Sequence, residues 1–170
     1  MKQLKMKYSP TVSVSPPALP EVSFRTMREF EREDWIMIVK HGLFEKEEKS
    51  EAILSDWSLF PTLVPQEDIW FAIRDGKKMA TATGMLESEG IGYLHYICAI
   101  PEARGTGIAT ALLRKVIENL TERGASYIYL TTDDFRLGAI KTYLRLGLTP
   151  LIEDEEERTR WTAVLNKLGM

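Results

Sequence analysis

Apolar and polar side chains alternate along Val22-Ser23-Phe24-Arg25-Thr26-Met27, which predicts a strand with one buried face. Upstream, Ser9-Pro10, Pro16-Pro17 and Pro20 stand among small polar residues, a composition that resists both helix and central strand. Residues 1–20 are therefore expected to form an extended arm ahead of the folded domain. The period then changes. Trp35, Ile36, Val39 and Leu43 recur at helical steps behind Glu33 and Asp34, either of which suits a helix start, and a second helix is predicted over residues 47–59. Pro61 and Pro65 close that stretch. The apolar run Ile69-Trp70-Phe71-Ala72-Ile73 leads into Asp75-Gly76, a hairpin signal, with a return strand over residues 78–86.

Gly90 and Gly92 precede an apolar run over residues 93–100 that is rich in strand formers and stops at Pro101. From Ile108, the residues Ala109, Leu112, Leu113, Val116, Ile117 and Leu120 return every three or four positions, so one helical face is buried, and Gly124 ends the helix. Tyr127-Ile128-Tyr129-Leu130 reads as another strand. Asp133-Asp134 is capping material for a helix with Leu137, Ile140 and Leu144 on one face, closed by Gly147. Beyond Pro150, the acidic residues 153–157 read as a solvated loop and residues 159–165 as a last strand. The pattern shows no internal repeat, so residues 21–170 are expected to form a single domain.

Composition narrows the function classes. An apolar fraction of 44% and a charged fraction of 28% suit a globular domain, and no apolar run approaches the roughly 18 residues of a membrane span. The basic start, Met1 to Lys7, is not followed by an apolar segment of the secretory type, which gives a cytoplasmic expectation and no membrane partner. A net charge of −3 argues against nucleic acid as a partner. The one cysteine, Cys98, rules out an internal disulfide, and with only His41 and His95 as histidines no metal site is expected.

The segment Arg104-Gly105-Thr106-Gly107-Ile108-Ala109 joins the strand before it to the helix after it. Glycines permit a tight turn and close approach, and the unpaired N–H groups of the helix start favour an anion. Spacing separates the users of such a turn. A triphosphate loop needs Lys-Ser/Thr after its last glycine, where this chain has Ile108-Ala109; a dinucleotide fingerprint needs a third glycine, where it has Thr110. The arrangement instead resembles the acyl-CoA core of the GNAT acetyltransferases, whose turn is Arg/Gln-x-x-Gly-x-Gly/Ala. Arg104, Gly107 and Ala109 match its fixed positions, and the likeness runs through Ile97-Cys98-Ala99-Ile100 before the turn and Ala139-Ile140-Lys141-Thr142-Tyr143-Leu144 after it, over roughly residues 93–150.

That resemblance implies an α/β fold with a mixed, mostly antiparallel central sheet, helices on both faces and a V-shaped cleft for acetyl-CoA as acyl donor. It implies diphosphate contacts from the backbone of Arg104, Gly105, Thr106, Gly107, Ile108, Ala109 and Thr110, and strand-like pairing of the pantetheine arm with Ile97, Cys98 and Ala99. Tyr143 matches the family tyrosine that serves the departing thiolate. Arg136 stands where many members carry asparagine and Leu148 where many carry phenylalanine; Arg136, Arg114 and Arg145 are candidate phosphate contacts or solvated helix charges. Glu87 and His95 are candidate bases, with a solvated loop charge and a satisfied strand histidine as the alternatives. Cys98 reads as a buried strand residue, because direct attack needs no acyl-enzyme. Trp35, Trp57, Trp70 and Trp161 are core residues or pocket walls.

The implied activity is transfer of an acetyl group to an amine by direct attack in a ternary complex. A non-catalytic CoA-binding regulatory module and a protein amino-terminal or lysine acetyltransferase are the alternatives. The acceptor is a small-molecule or peptide amine, and the assembly a monomer or homodimer.

Overall fold

A computed structural model describes residues 2–8, 19–43 and 58–170. The predicted helix over residues 47–59 falls almost wholly outside them. Seven strands form one sheet: β1 (Leu4–Tyr8), β2 (Val22–Thr26), β3 (Ile69–Arg74), β4 (Lys77–Glu87), β5 (Ile91–Ala99), β6 (Tyr127–Thr132) and β7 (Thr149–Leu151), in the order β2-β3-β4-β5-β6-β1-β7. Every neighbouring pair is antiparallel except β5 and β6, which run parallel. The mixed, mostly antiparallel sheet expected from the sequence is the one observed.

Among the described residues five helices accompany it: α1 (Arg32–Leu43), the short α2 (Phe60–Leu63), α3 (Ile108–Glu122), α4 (Leu137–Arg145) and α5 (Glu155–Leu168). They occupy both faces. The apolar stripe of α3, with Leu112, Leu113, Val116 and Leu120 all buried, lies on β4 and β5 where glycine makes room: a Cβ on Gly84 would fall 2.4 Å from Val116, and one on Gly92 would fall 3.1 Å from Leu120. On the opposite face α1 meets β5, where a Cβ on Gly42 would lie 2.6 Å from Cys98. The start of α1 is tied down by charge. Glu31 accepts from Arg25 at 2.8 and 2.6 Å and pairs with Lys78 at 3.0 Å, and Lys78 also pairs with Asp34 at 2.9 Å.

Three expectations are corrected. Leu4–Tyr8 is extended, as the arm was expected to be, but it lies inside the sheet, pairing with β6 on one side and β7 on the other. Its Leu-Lys-Met-Lys-Tyr alternation buries Leu4, Met6 and Tyr8, a strand pattern overshadowed by the prolines that follow. The predicted last strand over residues 159–165 is part of the helix α5. Glu157, Trp161 and Val164 are buried at helical spacing, and that burial decides against the strand propensity of Trp161, Thr162 and Val164.

The acidic run is likewise not a loop. Asp154 caps α5 by accepting from the Glu157 N–H at 2.8 Å, while Glu157 accepts from the Glu153 N–H at 2.8 Å. Three consecutive glutamates, Glu155 to Glu157, fill the first turn, where the helix dipole favours negative charge. Pro150 is held in β7, which pairs only with β1 and so needs no N–H on its outer side.

Candidate active site

β5 and β6 begin side by side and then separate. Their pairing runs from Ile91 opposite Tyr127 to Leu94 opposite Leu130 and stops, although β5 continues to Ala99 and β6 to Thr132. Among the described residues no strand pairs with the β6-facing edge of His95 to Ala99, at the mouth of a V. On its other side β5 carries one extra residue against β4: His95 lies opposite Thr83, but Cys98 lies opposite Thr81. Tyr96, with φ of +44°, sits in this bulge. Cross-strand partners share a face, so the bulge puts His95 and Cys98 on the same face, where strict alternation from position 95 to 98 would have separated them. That face is opposite α3.

The glycine turn follows directly. Gly105 and Gly107 have φ of +74° and +85°, and a Cβ at either would meet nothing within 4 Å, so the space over the turn is open. Gly107 is the residue before α3, and as a glycine it brings no side chain to cap that helix. Three of the seven N–H groups expected to face a phosphate are used internally: Arg104 donates to Pro101 O at 3.1 Å, Thr106 to Ala103 O at 3.4 Å and Ile108 to Thr106 Oγ1 at 3.4 Å. Among the described residues no hydrogen bond uses the N–H groups of Gly105, Gly107, Ala109 or Thr110. These four donors beside an open space are the chemistry an anionic diphosphate requires.

The candidate arginines fall elsewhere. Arg104 Nη2 donates to His41 O at 3.0 Å and Arg136 Nη1 to Gly42 O at 3.4 Å, both at the carboxyl end of α1. Arg136 Nε also donates to Asp133 at 2.9 Å, which offsets the charge it was expected to bring to a phosphate. Arg145 is exposed, whereas Arg114 is buried with no partner for Nε or Nη1 among the described residues.

Tyr143 is buried on α4, and burial, then Cys98, raises its hydroxyl pKa while Arg136 lowers it. Cys98 is buried too, and burial pushes its thiol up to about 12, so it stays a thiol rather than a nucleophilic thiolate. Tyr143, Cys98 and Arg136 are thus close enough to influence one another electrostatically.

His95 and Glu87 lie together in a ring system that the sequence reading did not assemble. Tyr93 stacks on His95 at 5.1 Å and on Tyr129 at 4.8 Å, and Tyr127 stacks on Tyr129 at 6.2 Å. His95 also meets Phe60 of α2 and Tyr96, whose ring packs on Trp35. The Tyr93 hydroxyl lies 3.3 Å from His95 Nδ1 and 3.2 Å from Thr131 Oγ1, while Tyr129 donates to Glu87 at 3.4 Å. Burial holds the His95 imidazole down at about 4, hence neutral. The period-two pairs Tyr93/His95 and Tyr127/Tyr129 carried the signal, but only the parallel register of β5 and β6 joins them. Trp35 and Trp161 are core and Trp70 is half-buried; Trp57 lies outside the described residues.

The description "Acetyltransferase (GNAT) family" matches residues 24–148. The chain belongs to the GNAT acetyltransferase family. Among curated relatives of this GNAT protein, the mycothiol acetyltransferase of Thermobispora bispora is 27% identical over 161 residues, 85% of this chain and 52% of that one. An uncharacterized N-acetyltransferase of Methanocaldococcus jannaschii is 32% identical over 83 residues, 49% of this chain and 35% of that one. The chain therefore spans about half or less of the length of these relatives. In fold it is similar to a GCN5-related N-acetyltransferase of Sphaerobacter thermophilus, with a TM-score of 0.65 at 22% identity over 87% of this chain and 48% of that one. It is also similar to the ribosomal-protein-S18-alanine N-acetyltransferase of Escherichia coli, with a TM-score of 0.63 at 20% identity over 77% and 79%. No helix among the described residues is long and apolar enough to cross a membrane.

Proposed function

We propose that this GNAT protein transfers an acetyl group from acetyl-CoA to an amine by direct attack in a ternary complex. The observation that carries the proposal is the juxtaposition of the unpaired β5 edge with the glycine turn, where N–H groups with no partner among the described residues lie beside open space at Gly105 and Gly107. Acetyl-CoA supplies an activated thioester when bound. The donors of Gly105, Gly107, Ala109 and Thr110 hold its diphosphate, and the edge of Ile97 to Ala99 accepts the pantetheine arm as an added strand. Bound in this way, the reacting ends lie at the opening of the V, where alignment lowers the barrier.

Tyr143 retains its proton over the physiological range, because burial raises its pKa, and it donates that proton to the sulfur that leaves. Neutral His95, beside the Tyr93 hydroxyl, orients the water through which the amine loses its proton to solvent. The buried Cys98 thiol packs against Gly42 and forms part of the wall. The acceptor approaches along the tyrosines of β5 and β6, and the reaction takes place in the cytoplasm in a monomer or homodimer.

Calorimetry with CoA, followed by measurement of thiol release from acetyl-CoA with a panel of amines and peptides, tests this reading. Micromolar CoA binding, lost in Gly107→Trp, and amine-dependent thiol release are expected. Binding without release across the whole panel would make the chain a CoA-binding module instead.

A further inference from the structure

The acceptor side of the cleft carries a charge pattern of its own. Tyr93, Tyr129 and Tyr127 are partly exposed and stack in one ladder that starts at His95, with ring spacings of 5.1, 4.8 and 6.2 Å. Tyr129, in the middle, donates its hydroxyl to both oxygens of Glu87 at 3.4 and 3.5 Å. Glu87 is exposed, and among the described residues no lysine or arginine pairs with it. Glu31, Asp134, Glu157 and Asp68 each have a cation beside them, Arg25 and Lys78, Arg160, Lys2 and Arg123 in turn, whereas Glu87 has a phenol in that place. A lone carboxylate hydrogen-bonded to a phenol, beside a row of electron-rich rings, is a surface for a cation. The rings of His95 and Tyr129 are at most two ring spacings apart, 5.1 and 4.8 Å along the ladder, a separation that an alkyl diamine or polyamine can bridge.

We infer that the acceptor is a short alkyl diamine or polyamine, whose first nitrogen reacts beside His95 while its second, cationic nitrogen lies at Glu87 and Tyr129. The inference rests on the proposed acyl transfer and names its substrate class. In the reaction the first nitrogen bonds to the acyl carbon as the carbon–sulfur bond breaks. That nitrogen loses one proton to solvent through water, the departing sulfur takes one from Tyr143, solvent returns one to Tyr143, and the products are the N-acetylated diamine and a free thiol. A carboxylate at the far end of the acceptor would face Glu87 across a short gap and be repelled; a methyl group there would leave Glu87 without its cation.

Three acceptors of equal chain length separate these cases: 1,4-diaminobutane, butylamine and 4-aminobutyrate, which end in an ammonium, a methyl and a carboxylate. Initial rates of thiol release with acetyl-CoA should give the diamine a kcat/KM at least tenfold above either other compound. In Glu87→Gln, and separately in Tyr129→Leu, the ratio of diamine to butylamine should fall to within about threefold of one, through KM of the diamine. Equal or better use of butylamine or 4-aminobutyrate by the native chain would overturn the inference, as would a diamine preference intact in both variants. If all three are inert while another amine or a peptide is acetylated, the inference fails and acyl transfer stands. Failure of every acceptor together with failure to bind CoA overturns both.

Discussion

Gly42 of α1 rests on Cys98 of β5 so closely that a Cβ on the glycine would lie 2.6 Å from both Cβ and Sγ of the cysteine. The contact fixes the carboxyl end of α1 over the strand whose edge is proposed to receive the pantetheine arm. Two arginines hold the same turn, Arg104 at His41 O and Arg136 at Gly42 O. Positive charge there complements the negative end of the helix dipole.

Gly42→Ala should therefore destabilise the protein by about 1–3 kcal/mol through overpacking, although alanine is the better helix former. Urea denaturation measures this. Adding Cys98→Ala should recover only part of the loss, because it removes the Sγ contact and leaves the Cβ contact in place.

Tyr143→Phe removes the proposed proton donor while keeping the buried ring. A fall in kcat of roughly 10²–10⁴-fold is expected, with CoA affinity by calorimetry unchanged. An unaltered rate and pH profile with the best acceptor would end the general-acid role.

His95 makes stability depend on pH. Its folded pKa is depressed to about 4 from an ordinary 6.5, because burial penalises the cation. The unfolded chain therefore binds the extra proton first, and the stabilisation, complete above pH 6.5, is lost as pH falls towards 4. Denaturation midpoints should decline over that window, by up to about 3 kcal/mol in stability. His95→Gln should flatten this part of the profile. A further loss between pH 4.5 and 2 should remain, since Arg25 above all holds Glu31 down at about 2.

Leu4 and Met6 have no exposed surface, and their strand closes the gap between β6 and β7. Leu4→Ala or Met6→Ala should each cost about 2–5 kcal/mol, a core-like penalty measurable by thermal or urea unfolding. Residues of a free arm would cost less than about 0.5 kcal/mol.

Much of the fold was legible in local pattern. The hairpin at Asp75-Gly76, the stripe of α3 and the left-handed glycines of the turn follow from short-range periodicity and backbone sterics, which neighbouring residues decide. The turn also pointed to an anion before any partner strand was known, because its N–H groups and the helix start lie next to each other in sequence. What the sequence could not settle depends on distant pairing. Leu4–Tyr8 becomes a central strand only because β6 and β7 flank it, and residues 159–165 join a helix because Glu157, Trp161 and Val164 find a common buried side. The bulge at Tyr96 turns Cys98 onto the face of His95, and the parallel register of β5 and β6 stacks Tyr93 on Tyr129. Tyr93 meets Thr131 38 positions away, and Glu87 meets Tyr129 42 positions away, only after the sheet has formed, so the amino-acid sequence by itself determined the glycine turn, and the tertiary structure alone decided the aromatic face on β5 and β6.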